Sequence, residues 1–193
     1  MRANPEAALT IVTGVPRSGT SLVMQMLAAG GHPIASDGVR GADPDNPRGY
    51  FELEAAKRLE RDASWLQPLA GRALKLLPTL VPSLPPELRY RVLLVRRRLD
   101  EVLDSQRAML ARRGETTTPA EDARLRPAFT AQLARLEAWL AAQDGLVWLR
   151  IDHAELLGQP VRAAERLAGF LGGGLDARAM ATCIDPALHR QRR

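Results

Sequence analysis

The chain has 193 residues, enough for one domain with a real core, and its 46% hydrophobic and 25% charged content describes a soluble globular protein. A formal net charge of +5, carried mostly by arginine, suits a polyanionic ligand, while the few scattered aromatic residues offer no stacking platform for single-stranded nucleic acid. The lone cysteine, Cys183, excludes an intramolecular disulfide and a multi-cysteine zinc site. No apolar run is long enough to span a membrane and no signal-peptide pattern opens the chain, so a cytoplasmic location is expected, with no membrane span and no nucleic acid as partner.

In chain order, Leu9 to Thr13 is a β-prone run that leads into a tight loop holding Gly14 and Gly19. Leu22, Val23, Met26 and Leu27 then recur at helical spacing, and Gly30-Gly31 stops that helix. His32 to Ser36 reads as a short second strand. Asp37 to Gly49, rich in Gly, Asp, Asn and Pro, is a long loop of the kind that is more often functional than idle. A helix is expected from Tyr50 through about Trp65, and a strand over Arg72 to Leu77 with Lys75 inside it. The prolines between Pro78 and Pro86 forbid a regular helix there. Arg91 to Arg96 is the clearest buried strand, followed by a helix from Leu99 to Arg112. A polar break at Gly114 to Pro119 precedes an alanine-rich helix over approximately Ala128 to Gln143. Leu146 to Ile151 reads as a last buried strand, Val161 to Leu171 as an amphipathic helix ended by three glycines, and Ala177 to Thr182 as a short helix before the basic tail His189 to Arg193.

Strands alternating with helices imply a parallel sheet covered on both faces, whose ligands sit at the carboxyl ends of the strands. Strand, glycine loop and helix in that order form a phosphate cradle, because loop amides and the helix N-terminus all point at one anion. Gly14 to Ser21 keeps the spacing of the ATP-binding P-loop, except that Thr20 stands where the motif requires the lysine that reaches the outer phosphates. The basic residue is instead Arg17, on the loop itself.

Val15-Pro16-Arg17-Ser18-Gly19-Thr20-Ser21 resembles the 5′-phosphosulfate loop of the sulfotransferases, and Val95-Arg96-Arg97-Arg98-Leu99 through Ser105 resembles their 3′-phosphate segment. The resemblance implies a donor, 3′-phosphoadenosine 5′-phosphosulfate, held at two anion sites and released as 3′-phosphoadenosine 5′-phosphate. Arg17, Ser18, Gly19, Thr20 and Ser21 would hold the 5′ end, with Arg17 also stabilising charge on the departing oxygen. Ser105 and either Arg96 or Arg97 would hold the 3′-phosphate; the two arginines match about equally well. No metal is needed in this reading, because side chains neutralise the leaving group. The cytosolic members carry a histidine base in a Lys-Thr-His-Leu-Pro stretch, and the similar place here reads Lys75-Leu76-Leu77-Pro78. His32, His153 and His189 lie in surface or structural contexts, so the acceptor base is expected to be a carboxylate. Asn46 to Glu52 resembles a segment of bacterial-type relatives, which makes Glu52 the candidate, with Asp37 and Glu54 behind it.

The expectation is therefore a single domain over residues 1–193, α/β in class, in three α/β/α layers. It has a parallel sheet of about five strands and the topology of the P-loop nucleoside triphosphate hydrolases. The expected reaction moves a sulfuryl group to a hydroxyl or amine acceptor. A small P-loop kinase and a non-catalytic nucleotide-binding module are the alternatives. The acceptor and the oligomeric state are beyond the sequence.

Overall fold

The computed structural model describes residues 7–116 and 118–184. Four parallel strands build its sheet in the order β2-β1-β3-β4: β1 Leu9–Thr13, β2 Ala73–Leu76, β3 Tyr90–Arg96 and β4 Val147–Asp152. Six α-helices join them: α1 Thr20–Ala29, α2 Leu99–Arg112, α3 Pro119–Ala141, α4 His153–Gly158, α5 Pro160–Phe170 and α6 Ala177–Thr182. Alternation along the two inner strands supplies both faces with core. Leu9, Ile11, Val92 and Leu94 pack under α2, α3 and the irregular stretch 56–84, while Val12, Leu93 and Val95 pack under α1, α4, α5 and α6. The result is a three-layer α/β/α arrangement of the P-loop-like kind.

The sheet has four strands, one fewer than expected. His32 to Ser36 runs beside β2 but makes a single parallel bridge, Ile34 to Ala73. Ala73 N–H donates to the Pro33 carbonyl at 2.8 Å and Ala35 N–H to the Ala73 carbonyl at 2.7 Å. The next amide in that ladder, Asp37 N–H, goes instead to the Glu52 carbonyl at 3.3 Å, and the segment leaves the sheet to become the long loop. A fifth-strand position is thus present but reduced to one bridge.

Two helices also depart from expectation. In place of a helix from Tyr50 to Trp65 there is one 3-10 turn, Glu54–Arg58, and the Asp62 carboxylate accepts from both the amide (3.0 Å) and the hydroxyl (2.7 Å) of Ser64, a local turn that competes with helix continuation. The alanine-rich helix is longer than read, starting at Pro119 behind a capping box in which Thr118 and Glu121 satisfy each other's amides. Pro127 lies inside it and is tolerated. The basic tail His189 to Arg193 lies outside the described residues.

Because Leu93 is fully buried on inner strand β3, Leu93→Ala should cost about 2–5 kcal/mol of unfolding free energy by urea titration, with the sheet otherwise retained.

Candidate functional site

Parallel pairing sets Thr13 opposite Leu94, so β1 and β3 end side by side. The ends touch closely: a Cβ on Gly14 would lie 2.6 Å from the Val95 carbonyl oxygen and 2.5 Å from Ser18 Oγ. The loop after β1 therefore turns directly against the end of β3. Gly19 completes the turn at φ 104°, a left-handed backbone that favours glycine, and a side chain there would also meet the His153 ring at 2.7 Å. From Thr20 the chain enters α1, whose first amides have no intrahelical acceptor and face the loop.

Arg17 is the non-glycine residue of this loop that also takes a left-handed backbone, at φ 68°. Its guanidinium lies over α2, with Nε donating to Ser105 Oγ at 3.0 Å and Nη2 to the Asp45 carbonyl at 3.4 Å. Arg97 closes the same corner. Its Nη1 donates to the Arg17 carbonyl at 3.2 Å, and its Nε pairs with Glu101 at 2.9 Å, both side chains about nine-tenths buried. Arg96, by contrast, is committed to Glu137 on α3 at 3.0 Å and does not line the cavity. Burial pulls the Arg17 guanidinium below the ordinary arginine range, against the attraction of Tyr50 and Asp45.

These groups line a cavity of about 540 Å³ at the carboxyl ends of the strands. Gly19, Thr20 and Ser21 line it as well, and Ser18 lies beneath them, wholly buried. Ser18 Oγ has no hydrogen-bond partner among the described residues. A buried hydroxyl without a partner is costly unless a ligand supplies one, so the cradle suits an anion with oxygens to share.

The long loop forms the opposite wall and is strapped down by charge. Asp45 pairs with Arg112, whose Nε approaches at 2.7 Å; the Asp43 carboxylate accepts from Tyr50 Oη at 2.8 Å; and Arg40 stacks over the Tyr50 ring at 3.5 Å. Glu52, the expected base, sits on the cavity wall. Its Oε1 accepts from Arg40 at 3.0 Å and from Lys75 Nζ at 3.1 Å, and its Oε2 meets Arg40 at 3.3 Å. Glu54 also lines the cavity, paired with Lys57 at 2.7 Å. Asp37 does not: it accepts the amides of Glu54 (2.6 Å) and Val39 (3.0 Å), which hold its carboxyl below the usual range and make it a loop brace.

Two residues at the site were passed over in the sequence. Lys75, at the end of β2, donates to the Tyr50 carbonyl at 2.5 Å, and that carbonyl also accepts from Ser21 Oγ of the cradle at 3.4 Å. Its signal was a single lysine in an otherwise apolar strand. His153, read as structural, is 8% exposed on the first turn of α4 and borders the cavity against Gly19. Nothing local to Asp152-His153-Ala154 distinguishes it; only the docking of β4 beside β3 brings it there. Among the described residues no group of three or more His, Cys, Asp and Glu is placed to hold a metal ion, and no helix is long and apolar enough to cross a membrane.

No protein-family model matches the chain, and no curated protein matches it at a significant level. Among solved structures it is similar to a sulfotransferase domain from the curacin biosynthetic pathway, with a TM-score of 0.54 and 14% identity over 86% of this chain and 74% of that one. It also aligns with a sugar kinase from Janibacter sp. HTCC2649, at a TM-score of 0.46 and 18% identity over 94% of this chain and 98% of that one. The first likeness describes the fold alone, a P-loop-like α/β arrangement.

Burial lowers the Lys75 ammonium below the ordinary lysine value of 10.5, outweighing the attraction of Glu52. Between that lowered value and 10.5 the unfolded chain binds more protons than the folded one, so stability rises with pH through that window and is level below it. The urea midpoint of the native protein should therefore climb more as pH is raised toward 10.5 than that of Lys75→Met. Parallel curves would show that Lys75 is not desolvated.

Proposed function

We propose that this chain is a sulfotransferase that moves a sulfuryl group from 3′-phosphoadenosine 5′-phosphosulfate to a hydroxyl or amine acceptor. The observation that carries the reading is the join between two anion-binding elements: the glycine loop without a P-loop lysine and the Arg97–Ser105 pair, linked through Arg17 Nε and Ser105 Oγ at 3.0 Å. A nucleotide bearing phosphate at both its 3′ and 5′ positions requires two such elements side by side. A triphosphate requires one cradle and the lysine that Thr20 replaces.

Each residue takes a role that its surroundings fit. The amides of Gly19, Thr20 and Ser21 at the start of α1, with the unpartnered Ser18 hydroxyl, hold the 5′ end of the donor. Arg97, which lines the cavity where Arg96 does not, brings its charge to the 3′-phosphate with its guanidinium held in place by Glu101 and the Arg17 carbonyl, and Ser105 adds a neutral donor. Arg17 meets the charge that grows on the bridging oxygen, in a buried setting where one charge-assisted hydrogen bond counts for more than in water. Glu52 takes the acceptor proton through Oε2, the less engaged oxygen, which meets Arg40 at 3.3 Å, while Arg40 and Lys75 together hold Oε1. Lys75 stands between this carboxylate and the cradle, donating directly to Glu52 and reaching the cradle through the Tyr50 carbonyl that Ser21 shares.

Calorimetry tests the donor site first. The protein should bind 3′-phosphoadenosine 5′-phosphate at least tenfold more tightly than adenosine monophosphate. Arg97→Ala should remove most of that margin, while Arg96→Ala leaves it intact. Equal affinity for the two nucleotides would end the case for a 3′-phosphate site.

Turnover tests the chemistry. Arg17→Ala should lower kcat roughly 100-fold or more with a smaller effect on donor affinity, and Arg17→Lys should be milder. Glu52→Gln should cost roughly 100-fold in kcat without weakening donor binding. Near-normal rates in that variant would move the base to Glu54, which also faces the cavity. Chelators should leave transfer unchanged, and a magnesium-dependent ATPase activity in clean protein would favour a kinase instead.

A further inference from the structure

Beyond Glu52 and Lys75 the cavity wall changes character. Leu53, Leu76, Leu77 and Leu80 follow on the side away from Arg97, contributed by the end of the long loop, the end of β2 and the turn after it. Leu77 is 54% exposed, and of the four strongly exposed large hydrophobics among the described residues it is the one that lines the cavity. An isolated exposed leucine is ordinary; one that extends a row of cavity-lining leucines marks surface kept for an apolar ligand.

The polar groups around this row are already engaged. Glu54 and Lys57 pair with each other at 2.7 Å, and Arg40 is held by Glu52 at 3.0 Å while covering the face of the Tyr50 ring at 3.5 Å. A sugar needs several open hydrogen-bond partners or an open aromatic face to lie on. On this wall the charged side chains are paired with one another and the Tyr50 ring is covered, whereas an aliphatic chain needs only the leucines.

From this arrangement we infer that the acceptor is an aliphatic alcohol, its chain lying along Leu77 and Leu80 and its hydroxyl delivered between Glu52 and Lys75. The inference rests on the sulfuryl-transfer reading and narrows it. In the step, the alcohol oxygen forms a bond to sulfur as the bond from sulfur to the 5′-phosphate oxygen breaks. The hydroxyl proton passes to the Glu52 carboxylate, and the products are an alkyl sulfate ester and 3′-phosphoadenosine 5′-phosphate.

The test is a calorimetric series on the full chain with 1-butanol, 1-hexanol, 1-octanol and glucose, with and without 3′-phosphoadenosine 5′-phosphate. Affinity should rise about fourfold per methylene along the alcohols, and glucose should not bind. Leu77→Ser should weaken octanol about tenfold and flatten the series, Leu77→Met should preserve it, and neither should alter nucleotide affinity. With labelled donor, octanol should become an alkyl sulfate and glucose should stay unlabelled. A flat alcohol series, glucose binding as tight as octanol, or a Leu77→Ser protein that holds octanol normally would overturn the inference while leaving a nucleotide-binding result standing. Failure of the nucleotide itself to bind would instead remove the sulfuryl-transfer reading, and the acceptor assignment with it.

Discussion

The contact between the carboxyl ends of β1 and β3 is the constraint on which the site depends. With Thr13 registered against Leu94, there is no room at position 14 for a side chain, and the backbone must turn at once over its neighbour. That turn puts Arg17 into a left-handed conformation, which costs of order 1–3 kcal/mol and persists only where surrounding contacts over-determine it. Here the contacts are the Ser105 hydroxyl, the Asp45 carbonyl and the Arg97 fork. A backbone constraint is thereby converted into the position of a cation.

The cavity gathers cations that the rest of the molecule must tolerate. Arg17 and Lys75 are both desolvated, and both hold their protons less firmly than in water. The long loop answers with acceptors: the Tyr50 and Asp45 carbonyls and the Glu52 carboxylate sit against those two side chains, and Asp43 and Asp45 tie the loop to the end of α2. The same segment is wall and counter-charge. Opening it would expose the cations to solvent and to an anionic ligand together, so loop position and ligand binding share the same electrostatic terms.

The two ends of the cavity differ because different elements supply them. Backbone amides, arginine and serine come from α1, the loop before it and the start of α2, all fixed by the inner strands β1 and β3. The leucine row comes from Leu53, from the end of β2 and from the irregular residues after it, where Pro78, Pro82, Pro85 and Pro86 forbid a regular helix. A half lined by backbone amides and arginine and a half lined by leucine are the outcome of which strand each segment follows.

What the sequence determined by itself were the features written in short windows. The strand-glycine-helix order around Gly14 to Ser21, the buried run of β3 and the spacing from Arg97 to Ser105 are local patterns, and local sterics and hydrophobic periodicity suffice to specify them. Patterns of that kind also pointed to the α/β class. What only the tertiary structure decided depends on neighbours distant in the chain. Whether His32 to Ser36 becomes a strand turned on a hydrogen bond from Asp37 to Glu52, fifteen positions away in the folded loop. Arg96 and Arg97 face different neighbours, Glu137 on α3 and the Arg17 carbonyl, a difference that a run of three arginines conceals. Lys75 and His153 reached the cavity because β2 and β4 flank the inner strands in this particular order, and strand order is set by the packing of whole layers rather than by any residue's own neighbours.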